Sequence, residues 1–239
     1  MRKSLKEVRL KKSSEKHSKV GALFKEFILG GQDGLVNVLG VILGIAVATN
    51  DPKLVIIAGL AATFAESFSM AAVAYTSVKA EESYYKSQQE KELFEIKTIP
   101  EIEKKEIYNL YLSKGFRGKL LDDIVKHVTS NKKIWLNIMM KEELGLSSNP
   151  PHPIRSAIVV GLAAMIGSFI PLFAFFFLPI STAIVGSVIL SAIALFITGA
   201  VEAKINMGNW VKKGIQLMGI GMAAAFIGFI VGKILGVSV

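Results

Sequence analysis

Apolar residues are gathered into blocks along this chain, and charged residues lie between the blocks. Five blocks are long enough to cross a bilayer, at about 27–49, 54–78, 157–178, 182–201 and 214–236, since a spanning helix needs roughly 20 apolar residues. "NDPK" predicts a tight turn between the first two spans, and Pro179 marks the turn between the third and fourth. The segment 79–153 has helical periodicity and high charge. "VKAEESYYKSQQEKELFEI" continues the second span without a breaker, predicting one long helix. "IPEIEKKEIYNLYLSKGF", with Pro100 at its start and Gly115 at its end, is a second helix. "GKLLDDIVKHVTSN" and "KKIWLNIMMKEELGL" are a third and a fourth, before "SSNPPHP" breaks the chain. No β pattern and no long repeat is present. The chain is read as an all-α, polytopic membrane protein with five spans. Its parts are a basic tail (1–26), spans one and two (27–78), a helical insert (79–153) and spans three to five (154–239).

Composition agrees with that class. The chain is 51% hydrophobic over 239 residues, with a mean hydropathy of +0.48. The formal charge of +9 would suit nucleic acid, but its placement points elsewhere. It collects in residues 1–26, 79–146 and 202–213. With five alternating spans these segments share one side, and the positive-inside rule makes that side cytoplasmic. The tail lacks an apolar core, so it reads as an unstructured or surface-lying basic segment that meets anionic lipid, not as a signal peptide. No nucleic-acid partner is expected. Cysteine is absent, which excludes disulfides and thiolate metal sites.

Polar residues inside the spans carry the candidate chemistry. On a 3.6-residue helix, Asp33, Asn37, Gly40 and Gly44 share one face, which Gly30 and Gly34 extend. Small residues at this spacing let helix backbones approach closely. Span two carries Glu66, with Met70 one turn later. A charged side chain in a span costs at least ~2.5–3.5 kcal/mol on insertion scales. Such groups either bond within the bundle as protonated structural residues or line a path for ions. Oxygen ligands suit hard or borderline divalent cations and a thioether suits softer ones, so the mixture favours Fe²⁺ over Mg²⁺ or Ca²⁺.

The insert repeats the theme. Glu92 and Glu95 are three residues apart, as are Glu103 and Glu106, so each pair shares a helix face. In "MMKEEL", Met139 and Met140 lie four and three residues before Glu143. These groups could converge on one volume and hold divalent ions. Interleaved lysines (Lys91, Lys97, Lys104, Lys105) equally fit ordinary solvated helix faces. His127 reads as surface or packing, and His17 and His152 lie in expected loops.

The order of parts resembles the vacuolar iron transporter family over nearly the whole chain. The matching pieces are "DGLVNVLGVILG", "SFSMAAVAYTS", "NIMMKEELGL", "SFIPL" and "ALFITGAVEAKINMGNWVKKGIQLMGIG". The resemblance implies a five-span homodimer that moves Fe²⁺ out of the cytosol in exchange for protons. It assigns Asp33 and Met70 to the membrane path, joined here by Asn37 and Glu66. It assigns Glu92, Glu95, Glu103, Glu106, Met139, Met140 and Glu143 to metal gathering, and it places Gly30, Gly34, Gly40 and Gly44 at a twofold seam. Many members read G-E-Y after the S-M pair. This chain has Val73, Ala74 and Tyr75, and Glu66 is the expected substitute for the missing acid.

The expected function is export of Fe²⁺, with the ion as cargo and no tightly bound cofactor. A Mn²⁺ transporter of the same fold and a membrane-anchored metal sensor without flux are the alternatives. No nucleophile–base pair, phosphate-cradling loop or closed zinc motif suggests an enzyme. The expected location is a cell membrane in a prokaryote, towards which the short loops lean, or a vacuolar membrane in a eukaryote.

Overall fold

The computed structural model describes residues 2–146 and 152–236, with side chains described from Gly21 onward except Ala22. Every regular element among them is helical: α1 (Arg2–Thr49), α2 (Pro52–Thr98), α3 (Pro100–Ser113), α4 (Gly118–Thr129), α5 (Lys132–Ile138), a π-helical turn (Met139–Glu143), α6 (Pro153–Leu172), a 3₁₀ turn (Phe173–Phe176), α7 (Ile180–Ile205) and α8 (Trp210–Leu235). Five helices are long and apolar enough to cross a membrane, over Leu23–Thr49, Pro52–Thr98, Pro153–Phe176, Ile180–Ile205 and Trp210–Leu235. The protein is an all-α, multi-pass integral membrane protein.

Local chemistry explains the boundaries. Asn50 takes a left-handed backbone (φ 50°) after α1. The Asp51 carboxylate then accepts from the Lys53 amide at 2.8 Å, capping α2, with Pro52 at its first position. α2 runs without a break to Thr98, as its uninterrupted sequence predicts. Pro171, inside α6, offers no N–H to the helix, and the chain tightens to a 3₁₀ turn two residues later. Asn131 caps α5 by accepting from the amides of Lys133 and Ile134. The helix predicted over 132–146 is α-helical only to Ile138, then continues as a π-helical turn.

One expectation is revised. Residues 1–26 were expected to be unstructured or surface-lying, and the first alternative falls because α1 is helical from Arg2 onward. Residues 2–20 contain no Gly or Pro, and Lys, Glu and Leu favour helix. The side chain of His17 and the break expected over 147–151 lie outside the described residues.

The chain divides into two compact units, Met1–Tyr75 with Pro153–Val239, and Thr76–His152. In the first, α1 is the central helix, packed on α6, α7 and α8. Its partners rise in register with it: Gly30 meets Val160 and Gly34 meets Ala164, then Gly40 meets Ala224 and Gly44 meets Gly228. So α1, α6 and α8 run parallel. On α7 and α8 the pairs run oppositely, Leu195 meeting Gly221 and Gly199 meeting Gly214, so α7 is antiparallel to them. The alternation expected for successive crossings is present.

The same contacts show what the α1 glycines meet within the chain. Gly30 and Gly34 have no room for a Cβ because the α6 backbone occupies that space, and Gly44 would place one 3.0 Å from the Gly228 carbonyl oxygen. Gly40 and Gly44 thus pack on α8. All four glycines thus have a neighbouring helix within the chain, and small residues at this spacing allow that close approach.

The second unit is built on Ile96, Ile107, Val128, Trp135 and Met139, all buried. The amphipathic α4 turns Leu121 and Val128 inward.

Candidate functional site

In the first unit, α1 and α2 bring three polar side chains together. Glu66 lies within side-chain hydrogen-bonding reach of Asp33 and Asn37. Asp33 and Glu66 are half-buried, Asn37 is exposed, and Met70 is half-buried one turn beyond Glu66. Two carboxylates brought this near one another repel when both are bare, and a cation between them relieves that repulsion. Asp33 and Asn37 share their face of α1 with Gly30 and Gly34, which lie flush against α6. Buried hydroxyls run nearby on α2, where Thr63 and Ser67 each donate to the carbonyl four residues earlier at 2.7 Å.

The structure adds a carboxylate on the same face of α1. Glu26 accepts from the Ser156 hydroxyl at 2.6 Å. It was assigned to the basic tail, yet it stands seven residues before Asp33. The run 26, 30, 33, 37 continues the polar and glycine face by one turn, and that periodicity was the signal for it.

In the second unit the lysines and glutamates separate. Lys91 pairs with Glu95 at 3.7 Å, Lys104 with Glu101 at 2.7 Å, and Lys114 with Glu142. Among the described residues, Glu92, Glu103, Glu106 and Glu143 make no ion pair. Glu92 and Glu103 are buried, Glu103 to 2% exposure, and each has an Oε2 atom with no hydrogen-bond partner. An unpaired buried polar atom costs about 1–3 kcal/mol.

The electrostatics tie these side chains into one cluster. Burial, then the carboxylates of Glu106, Glu92, Glu95 and Glu143, push Glu103 up to about 7. Desolvation, then Glu106, Glu92 and Glu95, push Glu143 up to about 7 as well. Glu92 is raised by burial and by Glu95. The group is an electrostatic cluster and not a closed coordination shell: among the described residues no three His, Cys, Asp or Glu side chains are close enough to hold an ion as they stand.

The methionines divide. Met139 is wholly buried and belongs to the apolar core with Ile107 and Trp135. Met140 is also buried but lies outside that cluster. Both sit in the π-helical turn that ends at Glu143, and single π turns are frequent at functional positions. His127 is exposed on α4, in keeping with a surface role.

A family model described as the VIT family matches residues 24–233. The chain is 29% identical over 223 residues to vacuolar iron transporter 1 of Arabidopsis thaliana, covering 92% of this chain and 89% of that protein. It is 31% identical over 222 residues to vacuolar iron transporter 2 of Oryza sativa subsp. japonica, covering 92% and 90%. It is 27% identical over 237 residues to the vacuolar iron transporter of Plasmodium falciparum, covering 95% and 87%.

Proposed function

This chain belongs to the VIT family, and from that premise we propose that it carries Fe²⁺ across its membrane in exchange for protons. The observation that supports this most is the meeting of Asp33, Asn37 and Glu66 within a membrane-spanning unit, with Met70 one turn away. Oxygen and thioether ligands together suit a borderline ion such as Fe²⁺. The relatives are named as iron transporters. A proton and a cation compete for the same carboxylate oxygens, so a proton gradient displaces the metal.

In this reading the glutamates of the insert load the ion. Among the described residues Glu92, Glu103, Glu106 and Glu143 have no ion pair and they repel one another, so a divalent cation relieves the repulsion and satisfies the two unpaired oxygens. Glu95 joins them once released from Lys91. Glu66 and Glu92 both lie on α2, which belongs to both units.

The protein acts as a homodimer in this reading, with the second copy covering the open side of Asp33 and Asn37. The exposed Phe64 and Phe68 on α2 add apolar surface beside the polar group. A polar group at mid-membrane faces protein or water rather than lipid.

The experiment is Fe²⁺ uptake into proteoliposomes with an imposed pH gradient. Asp33→Ala is expected to abolish the initial rate while the protein still inserts and purifies normally. An unchanged rate would remove Asp33 from the path. Mn²⁺ run alongside separates the two cargoes, and absence of flux for both ions would favour a sensor.

A further inference from the structure

A crevice on the first unit has chemistry that the metal path does not use. It starts between α1 and α7, in a cavity of about 210 Å³ walled by Phe24, Phe27, Ile28, Ile197 and Val201. Ile197 and Val201 also line a larger hollow of about 530 Å³ that reaches Lys204, Met207 and Trp210. Gly208 joins this hollow to a polar one lined by Asn206, Asn209, Lys212 and the Glu202–Lys213 pair. The surface therefore grades from apolar to cationic along one direction, ending at the turn between α7 and α8.

Among the described residues the charges at that end are not all paired. Lys213 pairs with Glu202 at 3.5 Å. Lys204 and Lys212 are exposed and make no ion pair among the described residues. Trp210 is exposed and packs edge-on against Phe196, with ring centres 6.2 Å apart. Tryptophan at the end of a spanning helix sits at headgroup depth, which puts the two lysines at the level of lipid phosphates. The walls of the crevice face outward: Phe27, Ile197 and Val201 are each about half exposed.

We propose that this crevice is a binding site for an anionic phospholipid, with an acyl chain between α1 and α7 and the headgroup phosphate on Lys204 and Lys212. A second copy of the chain is the poorer occupant. A twofold contact here would bring each lysine pair towards its own image, and like charges repel. A zwitterionic lipid carries the same phosphate, but its choline brings a positive charge beside the two lysines and offsets much of the gain. A basic residue near an anionic surface contributes about a factor of five in binding, so removing both lysines lowers the affinity at least about tenfold. The site does not depend on what the protein transports.

The test is thermal stability of the detergent-solubilised full chain titrated with phosphatidylglycerol, phosphatidylcholine or inorganic phosphate. Phosphatidylglycerol is expected to raise the melting temperature saturably, and the other two are not. Lys204→Gln with Lys212→Gln shifts the half-saturating concentration at least about tenfold. Lys119→Gln with Lys126→Gln, an equal loss of charge on α4, leaves it unchanged. Val201→Trp fills the crevice without touching charge and also weakens binding. Equal responses to both lipids, a response to phosphate alone, or an unshifted titration in the double lysine variant would each overturn the assignment.

Discussion

Glu103→Gln separates a metal-gathering cluster from an ordinary acidic surface. Glu103 is buried, one of its oxygens has no partner, and its carboxyl is pushed from 4.5 up to about 7 by burial and four neighbouring glutamates. Below pH 4.5 the group is protonated in the folded and the unfolded chain, so it contributes no pH dependence there. Between pH 4.5 and 7 the folded state holds the extra proton, and stability falls as pH rises. Above pH 7 the full penalty is present. The shift corresponds to about 3 kcal/mol at most, and solvent screening among the neighbouring charges reduces this to about 1–2 kcal/mol. Glutamine is the neutral isostere. The variant should therefore match the wild type at pH 4.5 and exceed it by about 1–2 kcal/mol at pH 8 without metal. For a unit of this size that is roughly 5–10 °C in melting temperature. The chain has two tryptophans, so a Trp210→Phe background leaves Trp135, buried in the core of the second unit, as the sole reporter of its unfolding. Adding Mn²⁺ or Co²⁺ at pH 8 should reverse the ranking, because the wild type gains binding energy that the variant lacks. A glutamine variant that is equally destabilised at both pH values would show that Glu103 is a structural hydrogen-bonding residue, and the argument for the cluster would fail.

Four further outcomes follow from the same geometry. Divalent-metal affinity of the full chain should rise steeply between pH 5.5 and 7.5, with proton release measurable by calorimetry in buffers of different ionisation enthalpy, because Glu103 and Glu143 titrate near 7. Asp33→Asn keeps the size and hydrogen bonding of Asp33 but removes its charge, so proteoliposome uptake should drop at least about tenfold while the melting temperature moves little. Met139→Leu preserves volume within the apolar core and should cost under about 1.5 kcal/mol, whereas Met140→Leu should weaken Co²⁺ binding more than Mg²⁺ binding in a competition titration. Gly34→Ala should destabilise the protein by about 1–3 kcal/mol, since the new methyl meets the Ala164 carbonyl and the Ser168 hydroxyl. Gly219→Ala, which meets nothing within 4 Å, should instead be neutral or slightly stabilising in thermal melts.

The sequence by itself determined the crossings and the class. Apolar block length reports what a bilayer requires of any helix, and that needs no knowledge of neighbours. It also determined that α2 continues unbroken into the charged unit, because the chain runs on without Gly or Pro from Leu60 to Thr98. Pro100 marks a helix start and Pro179 a turn through local backbone chemistry alone. Which acids matter could not be read this way. In sequence the lysines and glutamates of the insert are intermixed, and only packing decides that Lys91, Lys104 and Lys114 pair with Glu95, Glu101 and Glu142. Glu92 and Glu103 are left buried and unpaired by that choice. Periodicity found the glycine face of α1 but not its partner: close approach is a property of two helices, and both α6 and α8 lay far along the chain. The meeting of Asp33 with Glu66 rests on the same cause. Spacing along one helix fixes a face, and only the packing of the whole bundle fixes what that face touches.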